Sequence, residues 1–175
     1  MESDPPRLRI RAARPEEAEA LTALILRSKA HWGYEAAWLD AWLDAWLDAW
    51  RADLPMTPEF IASQYVFCAE DTATSAILGV ASVFPPRDGA AYREHLFVEP
   101  VAMGSGVGSA LWRHAIAWAE ERGAQAITLG ADPNAQSFYE HMGAVVVGWL
   151  DSDIVPRRRQ PEMRYALHPR WSPNT

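Results

Sequence analysis

Apolar and polar residues alternate along Leu8-Arg9-Ile10-Arg11-Ala12, the period-two pattern of a half-buried strand. The period then lengthens. Arg14-Pro15-Glu16-Glu17 puts a proline near a first turn and acids at the positive end of a helix dipole. Ala18, Leu21, Leu24, Ile25 and Ser28 follow at helical spacing, which predicts a helix ending near Gly33. A second helix is predicted over 35–53. Pro55 and Pro58 flank a break, and Thr57-Pro58-Glu59 restarts a short helix with threonine as its cap.

From residue 65 the period returns to two. Strands are predicted at 65–70 and 77–84, joined as a hairpin by the polar stretch 71–75. A turn at 85–89 leads to a third strand at 92–98. A glycine-rich turn opens a helix running to Arg122, with Gly123 where a helix C′ glycine belongs. A strand at 126–129, a helix from Asp132-Pro133-Asn134 to Gly143, a strand at 145–150, a loop at 151–161 and a last strand at 162–167 complete the pattern. The order predicts an α+β fold with a mixed sheet and no dividing linker. Residues 1–6 read as a disordered leader, 7–168 as one domain and 169–175 as a tail.

Composition changes this picture little. The chain has 175 residues, 49% of them hydrophobic and 22% charged, enough for one cored domain. No apolar run reaches the roughly 18–20 residues of a membrane span. The acidic first residues do not resemble a signal peptide, so a cytoplasmic protein without membrane partners is expected. A net charge of −7 argues against nucleic acid as a partner. Cys68, the one cysteine, lies in an apolar run and reads as an inert buried thiol. His31, His95, His114, His141 and His168 lack metal-ligand spacing, so no metal is expected. Lys29 is the single lysine among 16 basic residues.

One segment has no counterpart in ordinary patterning. Trp38-Leu39-Asp40-Ala41 recurs twice more and closes on Trp50. On a helix, a period of four drifts about 40° per repeat, so the four tryptophans sweep roughly 120°. A micro-duplication in a helix tolerant of length change explains it. An exposed aromatic stripe that forms a homodimer or lines a substrate pocket explains it too.

The chemistry concentrates after the strand at 92–98. Leu96-Phe97-Val98-Glu99-Pro100 ends an apolar run, and Gly104, Gly106 and Gly108 alternate before the next helix. Alternating glycines leave amides uncovered, and a helix start adds open N–H groups and a positive dipole end. Such a place suits a phosphate or pyrophosphate. A P-loop is excluded because no lysine follows the glycines. A dinucleotide fingerprint fails because Ser109 stands where its last glycine is needed and no βαβ unit is opened.

These motifs resemble the GNAT superfamily, the Gcn5-related N-acetyltransferases. Met103-Gly104-Ser105-Gly106-Val107-Gly108 is similar to the Q/R-x-x-G-x-G/A signature, with Met103 replacing the leading Gln or Arg. Asn134-Ala135-Gln136-Ser137-Phe138-Tyr139-Glu140-His141-Met142-Gly143 is similar to the family's second segment, N-A-x-x-F-Y-x-x-x-G. Trp32-Gly33-Tyr34 and Ser152…Pro156-Arg157…Pro161 also resemble a bacterial subgroup, and the resemblance covers residues 7–168.

The resemblance implies the acyl-CoA N-acyltransferase fold, a mixed, mostly antiparallel sheet of six to seven strands flanked by helices. It implies acetyl-CoA as acyl donor, held in a V-shaped gap between the fourth and fifth strands. Leu96, Phe97 and Val98 would bond the pantetheine arm through main chain. Met103, Gly104, Ser105, Gly106, Val107, Gly108 and Ser109 would meet the pyrophosphate, with Asn134 and Phe138 as further cofactor contacts. Asn134 reads equally as a helix N-cap, and Phe138 as a core residue.

The reaction implied is direct attack of a neutral amine on the thioester, the oxyanion being met by the Val98 amide. Tyr139 matches the family's general acid, and a packing tyrosine is its alternative. Glu94 is the best-placed candidate base, a solvent-facing carboxylate the alternative; His95 points to the other face of the strand. Trp32 and Tyr34 would wall the acceptor site. Arg157, in a basic cluster, would grip an acceptor carboxylate or the CoA 3′-phosphate, or simply be solvated. The acceptor is a small-molecule or peptide amine. A non-catalytic acyl-CoA-binding module with a dimerising Trp-rich helix is the competing reading.

Overall fold

The computed structural model describes residues 7–31, 56–151 and 159–168. The predicted helix over 35–53, the tryptophan repeat, the leader, the tail, Trp32, Tyr34 and Arg157 lie outside the described residues. Among the described residues seven strands and four α-helices follow in the order β1 Leu8–Ala12, α1 Ala18–His31, α2 Pro58–Ser63, β2 Tyr65–Asp71, β3 Ile77–Arg87, β4 Ala90–Val98, α3 Val107–Glu121, β5 Ala126–Gly130, α4 Gln136–His141, β6 Val145–Asp151 and β7 Arg159–Ala166. The strands form a sheet in the order β1-β2-β3-β4-β5-β7-β6. Pairing of β1 with β2, β5 with β7 and β6 with β7 is antiparallel, whereas β4 and β5 run parallel. This is the mixed, helix-flanked α+β sheet that the pattern implied.

The chain divides into two compact units, Met1–Ser82 with His95–Leu111, and Val83–Glu94 with Trp112–Thr175. In the first, α1 buries Leu21, Leu24 and Ile25 against Met56, Ile61, Val66, Cys68 and Val80. Thr57 caps α2 by accepting the Phe60 N–H at 3.0 Å, as its sequence predicts. Glu70 on β2 sits opposite Arg9 and takes hydrogen bonds from Arg9 and Arg11; Glu17 bonds the same Arg11 at 2.7 Å. In the second unit Trp112, Ile127, Leu129 and Met163 are fully buried, with Leu129 opposite Met163.

Four local expectations need correction. The first helix opens as a 3-10 turn at Pro15–Glu17, and α1 proper begins at Ala18. The predicted five-residue turn at 85–89 shrinks to Asp88-Gly89, both at positive φ (51° and 84°), and β3 runs through Pro85-Pro86 to meet it. A two-residue turn of that hand matches strand twist, so the ladder reaches closer to it than prolines alone suggest. β7 starts at Arg159 rather than 162, because Arg159, Gln160 and Pro161 pair with Asp151, Leu150 and Trp149. Asp132, not Asn134, supplies the side-chain cap, and it caps the 3-10 turn Pro133–Ala135 that leads into α4: its carboxylate accepts the Asn134 N–H at 2.8 Å.

Candidate functional site

In the first unit the site is built from main chain. At the end of β4 the Glu99 N–H donates to the Leu78 carbonyl at 2.8 Å, and the chain turns through a 3-10 segment, Pro100–Ala102. Met103 N–H donates to the Pro100 carbonyl at 3.2 Å, and Ser105 N–H to the Ala102 carbonyl at 3.3 Å. Ser105 Oγ donates to that same carbonyl. These bonds consume the Met103 and Ser105 amides, two of those that the resemblance assigned to the pyrophosphate. Gly104 and Gly106 stand at φ +79° and +89°, with nothing within 4 Å of where a Cβ would be. Backbone conformation, not crowding, demands glycine here. The first bond closing α3 joins Ala110 N–H to the Gly106 carbonyl at 3.0 Å. The amides ahead of it, on Val107 and Gly108, are the open donors of the helix. Together with the exposed turn at Gly104 and Gly106 they offer an anion a positive, side-chain-free surface.

Two features that sequence reasoning missed brace this turn. A Cβ on Gly79 would lie 2.8 Å from Leu111 Cδ1, 2.9 Å from Val107 Cγ1 and 3.1 Å from the Phe97 carbonyl oxygen. The backbone of β3 therefore touches both the first turn of α3 and the end of β4. A lone glycine inside the strand pattern Ile77-Leu78-Gly79-Val80 was the available signal. Glu99, just past the end of β4, accepts a two-point fork from Arg27 at 2.8 and 2.7 Å, tying the strand end to α1. Leu96, Phe97 and Val98 are partly buried on β4, and the Lys29 ammonium lies 5.4 Å from the Phe97 ring centroid. His95 is buried, with Nδ1 2.7 Å from Ser82 Oγ and Phe60 edge-on to its ring. Cys68 is fully buried, and burial pushes its thiol up to about 11, in keeping with an inert side chain.

In the second unit the site is built from side chains. The parallel pairing of β4 with β5 joins Ala90 to Ala126, Ala91 to Ile127 and Tyr92 to Thr128, and goes no further. Arg93 comes next. Its Nη2 donates to the Gly130 carbonyl at 2.9 Å, so a side chain replaces the ladder where the strands part. Tyr139 on α4 is 2% exposed and packs edge-on to Trp112, ring centroids 5.3 Å apart, and to Phe138 at 5.0 Å. Burial raises the Tyr139 hydroxyl above the usual tyrosine range, and the Arg93 charge opposes that rise. The hydroxyl therefore holds its proton through neutral pH. Glu94 is half-buried on the face of β4 opposite Arg93 and His95, while Asn134 is exposed in its 3-10 turn. Among the described residues no cluster of three or more His, Cys, Asp or Glu could hold a metal, and no helix is long and apolar enough to cross a membrane.

β4 loses its parallel neighbour after Tyr92 and continues into a glycine turn and a helix with open amides, in keeping with the acyl-CoA N-acyltransferase fold that the resemblance implied. The comparison with known families agrees: the chain belongs to the acetyltransferase (GNAT) family, whose profile matches residues 26–144. It is similar to a GCN5-related N-acetyltransferase of Rhodopseudomonas palustris, with 24% identity, a TM-score of 0.69 and coverage of 95% of this chain and 99% of that one. It is also similar to yncA, a putative acetyltransferase of Salmonella typhimurium solved with its cofactor acetyl-CoA, with 21% identity, a TM-score of 0.63 and 96% and 98% coverage. The PaiA N-acetyltransferase of Thermoplasma acidophilum, solved with coenzyme A, is 16% identical with a TM-score of 0.62 and 91% and 98% coverage. No curated protein sequence matches.

Proposed function

We propose that this chain is an acetyl-CoA-dependent N-acetyltransferase acting on a primary amine of a small molecule or peptide. The observation that carries the reading is the set of open amides at the start of α3, on Val107 and Gly108 beside the exposed glycine turn, preceded by β4 with its partly buried Leu96, Phe97 and Val98. A diphosphate suits a helix start free of side chains, and an amide-rich arm suits strand main chain.

Residue roles follow from chemistry. Glu94 takes a proton from the acceptor ammonium, directly or through one water, leaving a neutral amine to attack the thioester carbonyl. The Val98 amide steadies the oxyanion as the carbon becomes tetrahedral. Tyr139 gives its proton to the sulfur as the carbon–sulfur bond breaks. Its raised proton affinity keeps it in the donor form until that moment. The nitrogen, positively charged once bonded to carbon, sheds its second proton to solvent, and the products are an N-acetyl amide and the free thiol.

Titration calorimetry with acetyl-CoA, followed by thiol release over an amine panel, tests this. Binding and turnover with at least one amine are expected. Absence of binding refutes the reading outright, and tight binding without transfer to any amine points to the non-catalytic acyl-CoA module instead.

A further inference from the structure

Arg93 is a cation where none is expected. It is 7% exposed, yet among the described residues no carboxylate lies within ion-pair distance of it. Its acceptors are two main-chain carbonyls, Gly130 at 2.9 Å and Glu94 at a long 3.4 Å, and its Nε has no hydrogen-bond partner among the described residues. A buried charge without a counterion is costly, and folded proteins seldom keep one without a use for it. What the guanidinium does face is an aromatic ring: Cζ lies 5.3 Å from the centroid of Tyr139.

We propose that Arg93 is a positioning residue for Tyr139: its unneutralised guanidinium, fixed where β4 and β5 part, orients the ring and stabilises the phenolate formed when the hydroxyl gives up its proton. This rests on the acid role proposed above. In that step the Tyr139 O–H bond breaks and the proton joins the thiolate sulfur. The electron pair stays on the phenolate oxygen; the nitrogen, having lost its first proton to Glu94 before attack, sheds a second to solvent once bonded to carbon, and solvent returns one to the phenolate. A ring in an apolar pocket resists becoming an anion. An adjacent cation already neutralised by a carboxylate would help little; an unpaired one helps most.

The surroundings keep the interaction specific. Trp112 and Phe138 flank the ring with apolar edges, and Tyr165 of β7 lies against Trp112 at 5.8 Å. Glu140 and His141, next along α4, are exposed, and Glu140 accepts a hydrogen bond from Gln136 at 2.7 Å. Glu94 presents its side chain to the opposite face of β4. Arg93 is thus the charged group described at the ring.

Carbon-13 NMR of tyrosine Cζ measures the phenol directly, without acetyl-CoA, and Tyr139→Phe identifies the signal. In Arg93→Met the Tyr139 midpoint should rise by about 1 pH unit or more. Turnover should fall roughly three- to tenfold while KM for acetyl-CoA holds. Arg93→Lys, which keeps the charge, should recover most of the midpoint. An unmoved midpoint in folded Arg93→Met overturns the proposal. So does equal loss in the Met and Lys variants, which would mark a structural role. Should Arg93→Met not fold, Arg93→Gln is read the same way. Unchanged turnover in Tyr139→Phe would instead remove the acid role, a failure separable from an unmoved midpoint.

Discussion

The glycine turn and the Tyr139 cluster solve different problems with different materials. At the turn, function resides in what side chains do not cover: two glycines at positive φ and a helix start with open N–H groups. At Tyr139, function resides in what side chains exclude and oppose, a ring packed by Trp112 and Phe138 and faced by the Arg93 cation. The first kind of site is fixed by local backbone geometry. The second exists only after elements far apart in sequence have packed, since Arg93, Trp112 and Tyr139 come from β4, α3 and α4.

That contrast can be broken experimentally. The largest effect is expected from Tyr139→Phe, which should lower kcat by about 10²-fold with acetyl-CoA affinity unchanged, measured by thiol release and calorimetry. A loss of affinity with kcat preserved would reverse the assignment of the two regions. Gly106→Val should do the opposite. Placing a branched side chain at φ +89° costs about 1–2 kcal/mol, so acetyl-CoA should bind roughly tenfold more weakly while bound enzyme turns over normally.

Gly79→Ala sharpens the first region further. Its methyl would press on Val107 and Leu111, so a loss of about 1–3 kcal/mol in stability is expected by denaturant melt, together with weaker acetyl-CoA binding. The second region should keep its Tyr139 titration midpoint in that variant. The smallest effect lies away from both. The Arg11 guanidinium holds the Glu17 carboxyl below its usual range. A group depressed in the folded state stabilises above its unfolded value, about 4.3, and loses that contribution as pH falls through the folded value. The thermal midpoint of the wild type should therefore drop more steeply than that of Glu17→Gln between neutral pH and acid.

The difference between the regions also explains what the sequence disclosed. Gly104 and Gly106 announce a backbone site because only glycine takes such conformations cheaply, and Thr57-Pro58 announces a helix start for a similarly local reason. The family segment around Tyr139 marked the tyrosine but not its partner. Arg93 sits beside Glu94 and His95 in the chain, and the alternation of β4 turns it inward with His95. A strand pattern read from apolar residues passes over a buried arginine, because its inward direction is fixed by the sheet rather than by its own polarity. Gly79 is similar: a glycine in a strand hints at close approach, but Leu111 and Val107 become its neighbours only once α3 is docked. Asp88-Gly89 was the sharper turn signal than the two prolines before it, since positive φ at both positions closes a hairpin while proline merely restricts one strand.

Lys29, on α1 with its ammonium over the Phe97 ring, is the single ε-amine in 175 residues. Proteomic bookkeeping becomes simple as a result. When a lysine-bearing protein is offered as acceptor, every modified lysine recovered by mass spectrometry belongs either to that protein or to one peptide of the transferase. Self-labelling can then be separated from genuine transfer by inspecting a single fragment.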